Sequence, residues 1–445
     1  MSRLLGVTCL FLEVRQIKYY GRLMLDKTLL TDEIIDKTST GIIKKHNQWQ
    51  CMQCHTKEPR HFYNYYSTIL KKEIVYCRNC INLGRMDNVK PIFITKSKNV
   101  ASQGIYQLDF KLSEQQNFAS IAILKAIKDY ETKILYAVTG AGKTEMIFEG
   151  IHYARSRGDN VAIVSPRVDV VIEISMRIKK AFSSEQIDVL YQGQTQRFDG
   201  HFIISTVHQL YRFKHHFDLI IVDEVDAFPL VMDHSLQEAI THASKATHCH
   251  IFMTATPPRH LLKKMNPSDV ITLPARYHRQ PLPVPRFKYF KLKQHKIQYA
   301  LLKILKKQIL TERYTLVFFD NINLMKTAYH RYKKEITSLT YVYSEDALRF
   351  EKVKALRNGG YQVIFTTTIL ERGFTMAKLD VIVCNSQIFN KSALIQIAGR
   401  VGRKIEEPTG LVLFLHEGIT LPMLKARKAI IDMNQLALKK EWIDG

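Results

Sequence analysis

The sequence lacks long apolar runs. No stretch of its 445 residues approaches the ~20 consecutive apolar residues that a membrane-spanning helix needs. A short apolar run near the start is followed by Glu13 and Arg15, without the small-residue cleavage site of a signal peptide. We therefore expect a cytoplasmic protein. Its length favours two to four domains, because a domain typically holds roughly 100–200 residues.

Acidic residues are too few to balance the basic ones. Lys and Arg number 65 and Asp and Glu 41, so the formal net charge is +24. Such an excess favours a polyanion such as nucleic acid, because binding releases condensed counterions. A well-solvated basic surface would give the same composition, and both interpretations stay open. The basic segment 285–296 is likewise either an additional groove or a strand with a solvated lysine face.

Cysteine is scarce, and most of it forms one pattern. Two C-x-x-C pairs, 22 residues apart, contain four of the seven cysteines: Cys51, Cys54, Cys77 and Cys80. Each pair can place two thiolates on one ion, so we predict a closed, structural Zn²⁺ site whose spacer forms a long β-hairpin. Disulfides are the alternative, but a cytoplasmic compartment keeps thiols reduced. Cys9, Cys249 and Cys384 are predicted to be isolated buried residues.

Aromatic and basic residues are mixed between the two cysteine pairs. This spacer contains Phe62, Tyr63, Tyr65 and Tyr66 together with Lys57, Arg60, Lys71 and Lys72. The mixture suits single-stranded nucleic acid, because bases stack on aromatic rings and phosphates pair with cations. The same rings could instead form the core of a small zinc ribbon. The sequence does not decide between these interpretations.

From residue 134 onward, short apolar runs alternate with helical patterns. The runs are almost continuously apolar, as in strands that are buried in a parallel sheet. A proline-rich segment, 280–285, divides them into two groups: 134–138, 161–165, 202–206, 219–224 and 251–256, then 315–320, 340–344, 362–367, 381–385 and 410–415. Two consecutive α/β domains are therefore predicted.

The first of these strands leads into the segment AVTGAGKT. Gly140 and Gly142 allow the backbone to wrap closely around phosphate, Lys143 supplies positive charge, and the Thr144 hydroxyl can ligate Mg²⁺. Ala137 occupies the position where this pattern normally has glycine. The strand context and the complete GKT ending nevertheless predict a phosphate-binding loop.

The segment IIVDEVDAF ends a later strand with two carboxylates. Asp223 is suited to the Mg²⁺ shell, and Glu224 to orienting or deprotonating the attacking water. Together with the phosphate-binding loop, this pair predicts ATP hydrolysis.

The ordered series GAGKT, DEVD, TAT, TTTILERG and QIAGRVGR resembles superfamily 2 helicases and translocases over residues 106–420. The resemblance implies two RecA-like lobes that close on ATP, with Arg400 and Arg403 of the second lobe reaching the γ-phosphate. The nucleotide-contacting residues it implies are Gln116, Gly140, Ala141, Gly142, Lys143, Thr144, Gly373 and Gln396.

Further roles follow from the same resemblance. Thr254 and Thr256 correspond to the motif that couples nucleotide state to lobe position. Contacts to the DNA backbone, without base specificity, are implied for Pro166, Arg167, Thr206 and Thr367.

Some positions qualify the resemblance. Gln116 is either an adenine contact or part of a helix start that is capped by Ser113. Thr375 and the pair Gln396 and Ile397 depart from the pattern of RNA-remodelling members, in which acidic and His-Arg residues are common. These departures leave the predicted ATP site intact.

The zinc module before the motor, the segment YYGRL, ILERGFT and QIAGRVGR together resemble the ComFA family of late-competence DNA-uptake ATPases over essentially the whole chain. The predicted fold is α/β, with two RecA-like parallel-sheet lobes preceded by a small zinc-binding domain. We expect an N-terminal domain at 1–105, lobe 1 at 106–283 and lobe 2 at 284–445.

This resemblance implies a DNA-stimulated ATPase that uses ATP, Mg²⁺ and structural Zn²⁺. It would move single-stranded DNA at the inner face of the cytoplasmic membrane. The implied partners are a phosphoribosyltransferase-like competence protein, the membrane DNA-uptake channel and cytoplasmic proteins that handle single strands; a homo-oligomer is left open. The alternatives are a helicase of replication restart or repair, a nucleotide-gated DNA-binding scaffold and an RNA remodeller.

Overall fold

The computed structural model describes residues 17–293, 296–371 and 376–443. Cys9, Gly373 and Thr375 lie outside this part of the chain. Within it, a small N-terminal domain precedes two α/β lobes. No helix of these described ranges is both long and apolar enough to cross a membrane.

The N-terminal domain is built from short antiparallel strands. They are β1 Leu23–Met24, β2 Ile35–Thr40, β3 Ile42–Lys45, β4 Gln48–Cys51, β5 Phe62–Ser67, β6 Lys72–Cys77 and β7 Pro91–Thr95. β7 lies between β1 and β2, whereas β3–β4 and β5–β6 are separate hairpins. The β5–β6 hairpin fills the spacer between the two cysteine pairs, which confirms the predicted hairpin.

This domain shares a hydrophobic core with lobe 1. The four cysteines belong to the same buried cluster as Leu210, Tyr211 and Phe213, which come from the segment between two lobe 1 strands. The buried guanidinium of Arg22 lies 4.4 Å from the centre of the Phe213 ring. Lys214 Nζ donates a 3.0 Å hydrogen bond to the carbonyl of Gln53. The cysteine module is therefore fixed to the first lobe and is not a separate appendage.

Lobe 1 contains a seven-stranded parallel sheet with helices packed against it. Its elements are α1 Glu114–Lys128, β8 Lys133–Ala137, α2 Phe148–Arg157, β9 Val161–Ser165, α3 Val168–Ala181, β10 Asp188–Leu190, β11 Phe202–Thr206, β12 Phe217–Asp223, α4 His234–Ala243, β13 Ser244–Thr254, α5 Arg259–Leu262 and β14 Val270–Leu273. The strand order is β10-β11-β9-β12-β13-β8-β14. Because all the strands are parallel, the carboxyl ends of β8 and β12 lie on the same side of the sheet.

Lobe 2 contains a six-stranded parallel sheet. Its elements are β15 Arg286–Tyr289, α6 Tyr299–Leu310, β16 Tyr314–Phe318, α7 Ile322–Tyr332, β17 Leu339–Val342, α8 Arg349–Arg357, β18 Val363–Thr366, β19 Leu379–Val383, α9 Lys391–Ala398, β20 Val412–His416 and α10 Leu421–Lys439. The strand order is β15-β20-β19-β16-β18-β17.

Every apolar run that was predicted as a strand coincides with a strand of one of the two sheets. The predictions missed β10 and β14, which are short and lie at the edges of the lobe 1 sheet. β15 confirms the strand interpretation for the start of the basic segment, while residues 294 and 295 of that segment are outside the described ranges.

The last helix joins the two lobes. Leu282 from the connecting segment and Ile430 and Met433 from α10 belong to one apolar core that continues through both lobes. Beyond α10, Trp442 lies with its ring centre 5.8 Å from that of Phe118 on α1. Trp442 therefore packs against lobe 1, although α10 before it belongs to lobe 2.

A buried ion pair stabilises lobe 2. Asp380 is fully buried and accepts hydrogen bonds from Arg313 Nε at 2.8 Å, Arg313 Nη2 at 3.0 Å and the backbone N–H of Leu411 at 2.6 Å. Arg313 also contacts Glu407 at 2.8 Å. The guanidinium therefore connects the starts of β16, β19 and the segment before β20.

We predict that Arg313→Ala destabilises lobe 2 by about 3–5 kcal/mol, because it leaves the Asp380 carboxylate buried without its cation. Urea unfolding that is monitored by circular dichroism measures the change. The matched control is Lys306→Ala, which removes a half-exposed pair with Glu335 and should cost at most ~1 kcal/mol. Equal effects of the two substitutions would contradict the prediction.

Candidate functional site

A cavity of about 700 Å³ lies between the lobes, at the carboxyl edge of the lobe 1 sheet. The described residues that the sequence analysis assigned to ATP all line it: Gln116, Gly140, Ala141, Gly142, Lys143, Thr144, Asp223, Glu224, Gln396, Arg400 and Arg403. The lining also includes residues that the sequence did not indicate as ATP contacts, among them Phe110, Lys111 and Tyr277. Lobe 1 supplies the loop and the carboxylates, and lobe 2 supplies the arginines.

The loop after β8 turns tightly before the chain enters α2. Gly140 and Gly142 have φ values of +85° and +76°, in the left-handed region that residues with a Cβ rarely adopt. A Cβ at Gly142 would also approach Gln116 Nε2 too closely. Gln116 Nε2 donates a 3.0 Å hydrogen bond to the Ala141 carbonyl. The glycine pattern is therefore required by both the backbone conformation and the packing of α1.

Gln116 also takes part in the start of α1. Its Oε1 accepts a hydrogen bond from the backbone N–H of Ser113 at 2.9 Å, and Ser113 Oγ accepts one from the N–H of Gln116 at 3.4 Å. This reciprocal pair is a capping box. The structure therefore shows Gln116 in the cap of α1, whereas its contact with adenine stays a prediction.

The two carboxylates follow β12. Asp223 is buried and its Oδ1 accepts a 3.0 Å hydrogen bond from the backbone N–H of Glu224. Glu224 has φ +56°, an uncommon backbone conformation for a residue with a long side chain. Both carboxylates line the cavity beside the loop.

The lobe 2 side of the cavity comes from α9 and the turn after it. Arg400 is almost fully buried, and Arg403 Nε donates to the Gly399 carbonyl at 2.8 Å. Burial lowers the pKa of Arg403 to about 10, although the nearby Glu173 carboxylate opposes this shift. Gln396 Nε2 is buried and has no hydrogen-bond partner among the described residues. The lobe 2 side of the cavity is therefore lined by side chains with nitrogen donors.

One acidic residue that the sequence analysis did not assign connects the lobes. Asp226 accepts hydrogen bonds from Thr254 Oγ1 at 2.6 Å and Thr256 Oγ1 at 2.5 Å, the two predicted coupling residues. Ser392 on α9 donates to the same carboxylate at 3.0 Å and lies 2.6 Å from Thr256 Oγ1. The predicted coupling residues of lobe 1 are therefore hydrogen-bonded, directly and through Asp226, to the helix that precedes Arg400.

Arg276 makes a second connection that the sequence did not reveal. This fully buried side chain follows β14, and its guanidinium donates to the carbonyls of Thr139 at 3.2 Å, Gly399 at 3.3 Å, Val401 at 2.7 Å and Gly402 at 2.5 Å. Burial lowers its pKa to about 9. One cation therefore joins the phosphate-loop backbone to the turn that contains Arg400 and Arg403.

A second groove, of about 520 Å³, also crosses between the lobes. Arg167 and Thr367, two of the predicted DNA contacts, line it together with Arg349. Arg167 forms a two-point contact with Asp169, from Nε at 3.2 Å and Nη2 at 3.1 Å.

Pro166 and Thr206, the other two predicted DNA contacts, are buried at the ends of the neighbouring strands β9 and β11 and do not line this groove. The structure therefore brings together two of the four predicted residues.

The four clustered cysteines are buried free thiols. Sγ–Sγ distances are 3.6 Å for Cys51 and Cys80, 3.7 Å for Cys54 and Cys77, and 3.8 Å for Cys77 and Cys80. All four sulfurs lie within 4.8 Å of one another, as one metal ion would require. These separations are far from a disulfide bond of ~2.05 Å. The predicted isolated cysteines Cys249 and Cys384 are buried elsewhere.

We predict that Arg276→Ala separates the lobes, because it leaves carbonyls on both sides of the contact without their donor, at about 1–3 kcal/mol for each unsatisfied group. Small-angle X-ray scattering should show a larger radius of gyration, and the melting temperature should fall. Lys264→Ala, at an exposed position of the same lobe, is the control and should leave both values unchanged. An Arg276→Ala protein with the wild-type scattering profile would contradict the prediction.

Three family models match the chain in succession. "Competence protein ComFA N-terminal domain" matches residues 14–94, "Type III restriction enzyme, res subunit" matches 109–259, and "Helicase conserved C-terminal domain" matches 296–404. The first match covers the cysteine module, and the other two cover most of the two lobes.

Solved structures with this fold include helicases bound to nucleic acid. RecG bound to a three-way DNA junction is 16% identical with a TM-score of 0.54, covering 75% of this chain and 47% of that one. The DEAD-box helicase Mss116 bound to single-stranded RNA is also 16% identical with a TM-score of 0.54, covering 75% and 83%. At this identity the likeness shows the helicase-type fold alone.

Two curated relatives match over almost their full length. Competence protein ComFA of Bacillus subtilis is 37% identical over 452 residues, covering 97% of each chain. Competence protein ComFA of Streptococcus pneumoniae is 32% identical, covering 95% of this chain and 99% of the relative. The chain therefore belongs to the ComFA family of competence proteins, and its lobes are those of a helicase-type, nucleotide-using enzyme.

Proposed function

We propose that the chain is an ATP-driven translocase on single-stranded DNA, which draws transforming DNA across the cytoplasmic membrane from its inner face. The observation that carries this proposal is the cavity, which combines a phosphate-binding loop and two carboxylates of one lobe with two arginines of the other. Membership in a competence family supports uptake as the biological role.

The residues of the cavity divide the work of hydrolysis. The backbone at Gly140–Gly142 and the Lys143 ammonium hold the β- and γ-phosphates. Thr144 and Asp223 would hold a Mg²⁺ ion, which would supply further positive charge to the phosphates. Glu224 orients the attacking water and accepts its proton. Arg400 and Arg403 stabilise the charge that develops on the γ-phosphate.

Hydrolysis is coupled to movement by the contacts between the lobes. Loss of the γ-phosphate removes the anion that attracts Arg400 and Arg403. The Asp226–Ser392 contact and the Arg276 contact then determine how far the lobes separate. The groove that contains Arg167 and Thr367 spans both lobes, so a change in lobe position displaces a strand bound there.

The four-cysteine cluster fits Zn²⁺. Four thiolates at a Zn–S distance of ~2.3 Å in a tetrahedron lie ~3.8 Å apart. The observed separations of 3.6, 3.7 and 3.8 Å agree with this value. Because all four positions are filled by protein, the ion would brace the module and would not activate water.

The proposed partners follow from this role. They are single-stranded DNA, the membrane uptake channel, a phosphoribosyltransferase-like competence protein and cytoplasmic proteins that receive the strand. The chain would act as a peripheral protein at the inner face of the membrane.

We predict that ATP hydrolysis by the full chain is stimulated most strongly by single-stranded DNA, compared with duplex DNA, RNA or no polymer. Lys143→Ala should lose about 100-fold or more, since phosphate charge is no longer neutralised. Glu224→Gln should retain ATP but hydrolyse it about 100-fold more slowly or worse, because the proton acceptor is lost. Steady-state turnover and nucleotide binding measure these effects.

Lys303→Ala, on the exposed side of α6, is the control for this experiment and should behave as wild type. Equal stimulation by RNA would indicate a remodeller of RNA. Turnover that no polymer changes would indicate that the ATP site is a switch. Normal hydrolysis by Glu224→Gln would refute the role of that residue.

We also predict that zinc removal destabilises lobe 1, because the cysteines share its core. The purified chain should contain about one zinc ion. Chelation, or Cys54→Ser with Cys77→Ser, should lower the melting temperature by roughly 5 °C or more. Metal analysis and calorimetry are the measurements, with Cys249→Ser as the control for loss of a buried thiol. A zinc-free chain that melts at the wild-type temperature would contradict the prediction.

A further inference from the structure

The β5–β6 hairpin of the cysteine module presents an aromatic face that the ATP site and the groove between the lobes do not use. Tyr63 lies directly opposite Tyr76 in the strand register, and Tyr65 is two residues along β5 on the same face. The ring centre of Tyr76 is 5.5 Å from that of Tyr63 and 6.4 Å from that of Tyr65. We call these three rings, together with Arg85, the tyrosine face.

Arg85 holds the rings in place. Its guanidinium lies 4.8 Å from the centre of the Tyr76 ring and 5.7 Å from that of Tyr65, and Nη2 donates to Tyr65 Oη at 2.9 Å. Asp87 contacts the other side of the same guanidinium at 3.2 Å. The face is therefore preorganised, with a planar cation set among aromatic rings.

These rings are not the core of the module. Tyr63 is 49% exposed and Tyr65 is 37% exposed, although Ile74, directly opposite Tyr65 on the same face, is buried. Val75, on the other face of the hairpin, packs with the cysteines in the interior, so the exposed parts of the two tyrosine rings are available to a ligand. This exposure decides between the two interpretations that the sequence left open for the aromatic residues.

The surroundings of the face are cationic. Residues 57–85 contain two acidic side chains and six basic ones, and the basic ones are all exposed: Lys57, Arg60, Lys71, Lys72, Arg78 and Arg85. Both acidic side chains have polar partners: Glu58 contacts Arg60 at 2.6 Å, and Glu73 accepts from Asn64 at 2.5 Å. Because Arg60 is paired with Glu58 and Arg85 with Asp87, the charge available to a phosphate backbone comes from Lys57, Lys71, Lys72 and Arg78.

From this combination we infer that the tyrosine face is a second binding site for single-stranded DNA, in which bases stack on Tyr63 and Tyr65 and phosphates contact the neighbouring cations. The inference rests on the proposed function for the identity of the polymer. Stacking on an aromatic platform does not depend on base identity, since every base has a π-face. The site therefore suits a motor that must accept any incoming sequence.

The apolar part of the hairpin is separate from this face. Ile69, at the turn, is 90% exposed and Leu70 is 49% exposed. A protein or lipid partner would bury the side chains of Ile69 and Leu70. We do not expect these aliphatic side chains to contribute to DNA binding, because they offer neither a ring for stacking nor a charge for phosphate. The two regions can therefore be tested independently by substitution.

The tyrosine face is connected to a segment of lobe 1. Arg212 Nη2 donates a 3.4 Å hydrogen bond to the Leu83 carbonyl, two residues before Arg85. Arg212 ends the 3₁₀ helix Val207–Arg212, which directly follows Thr206. Because the module and lobe 1 share a core, the face does not depend on closure of the lobes. It can hold a strand while the groove between the lobes changes shape.

The test uses the full, zinc-loaded chain and fluorescence anisotropy with a labelled oligodeoxythymidine. Tyr63→Ala with Tyr65→Ala should weaken binding by about fivefold or more for each lost stacking ring. Tyr63→Phe with Tyr65→Phe keeps the rings and should stay within about twofold of wild type. Tyr299→Ala removes a tyrosine that is 84% exposed on lobe 2, and is the matched control. Zinc content and melting temperature are checked for each variant.

Photo-crosslinking with a 5-iododeoxyuridine oligonucleotide gives a second, direct readout. Crosslinks mapped by mass spectrometry to Tyr63 or Tyr65 support the site. If the wild type binds the strand and the alanine pair binds equally well, the tyrosine face is overturned and the proposed translocase stands. If Ile69→Ala with Leu70→Ala loses affinity for the oligonucleotide and the tyrosine pair does not, the strand contacts the hairpin turn instead, and the tyrosine face is overturned. Failure of the wild type to bind any single strand would overturn both proposals.

Discussion

The arrangement of the lobes depends on a buried guanidinium that belongs to lobe 1 and is solvated largely by the backbone of lobe 2. A buried cation is costly unless its donors are satisfied, so the turn from Gly399 to Gly402 must keep its carbonyls directed at Arg276. The same turn determines where Arg400 and Arg403 face the cavity. Arg276 also donates a hydrogen bond to the carbonyl of Thr139. This one side chain therefore fixes the turn that contains Arg400 and Arg403 relative to the predicted phosphate-binding loop.

The cysteine module is best understood as part of lobe 1. From the sequence the module was predicted as a separate unit before the motor. A C-x-x-C pattern does not indicate which other part of the chain packs against the cysteines. In the structure, the cysteines and Ile42 pack with Leu210, Tyr211 and Phe213, which follow the predicted DNA contact Thr206. A metal that orders the cysteines therefore also supports the segment after β11. The proposed metal would therefore stabilise lobe 1 at a point remote from the cavity, as well as the cysteine module itself.

The sequence predicted the parts of the fold and site that are local in the chain. Buried parallel strands are continuous apolar runs, and the phosphate loop and the DEVD segment are short motifs, so both could be read directly. The contacts by which Asp226, Ser392 and Arg276 join the two lobes are between residues more than 120 positions apart, as in the Arg276–Val401 hydrogen bond. Neither periodicity nor spacing contains that information. The exposure of Tyr63 was equally undetermined, because an aromatic residue in a hairpin can face the core or the solvent.

The lobes meet through two kinds of contact that respond differently to water. At the cavity, the contacts of Asp226 and Arg276 are hydrogen bonds, which water can replace at a net cost of about 1 kcal/mol each. Beside the connecting segment, Leu282 and Met433 belong to a continuous apolar core, and water does not compensate for their exposure. If the lobes open as proposed, the least costly movement separates them at the cavity and keeps the apolar side packed. We therefore expect segment 280–285 to be the hinge. The tyrosine face then moves together with Arg167 on lobe 1, whereas Thr367 on lobe 2 moves relative to both.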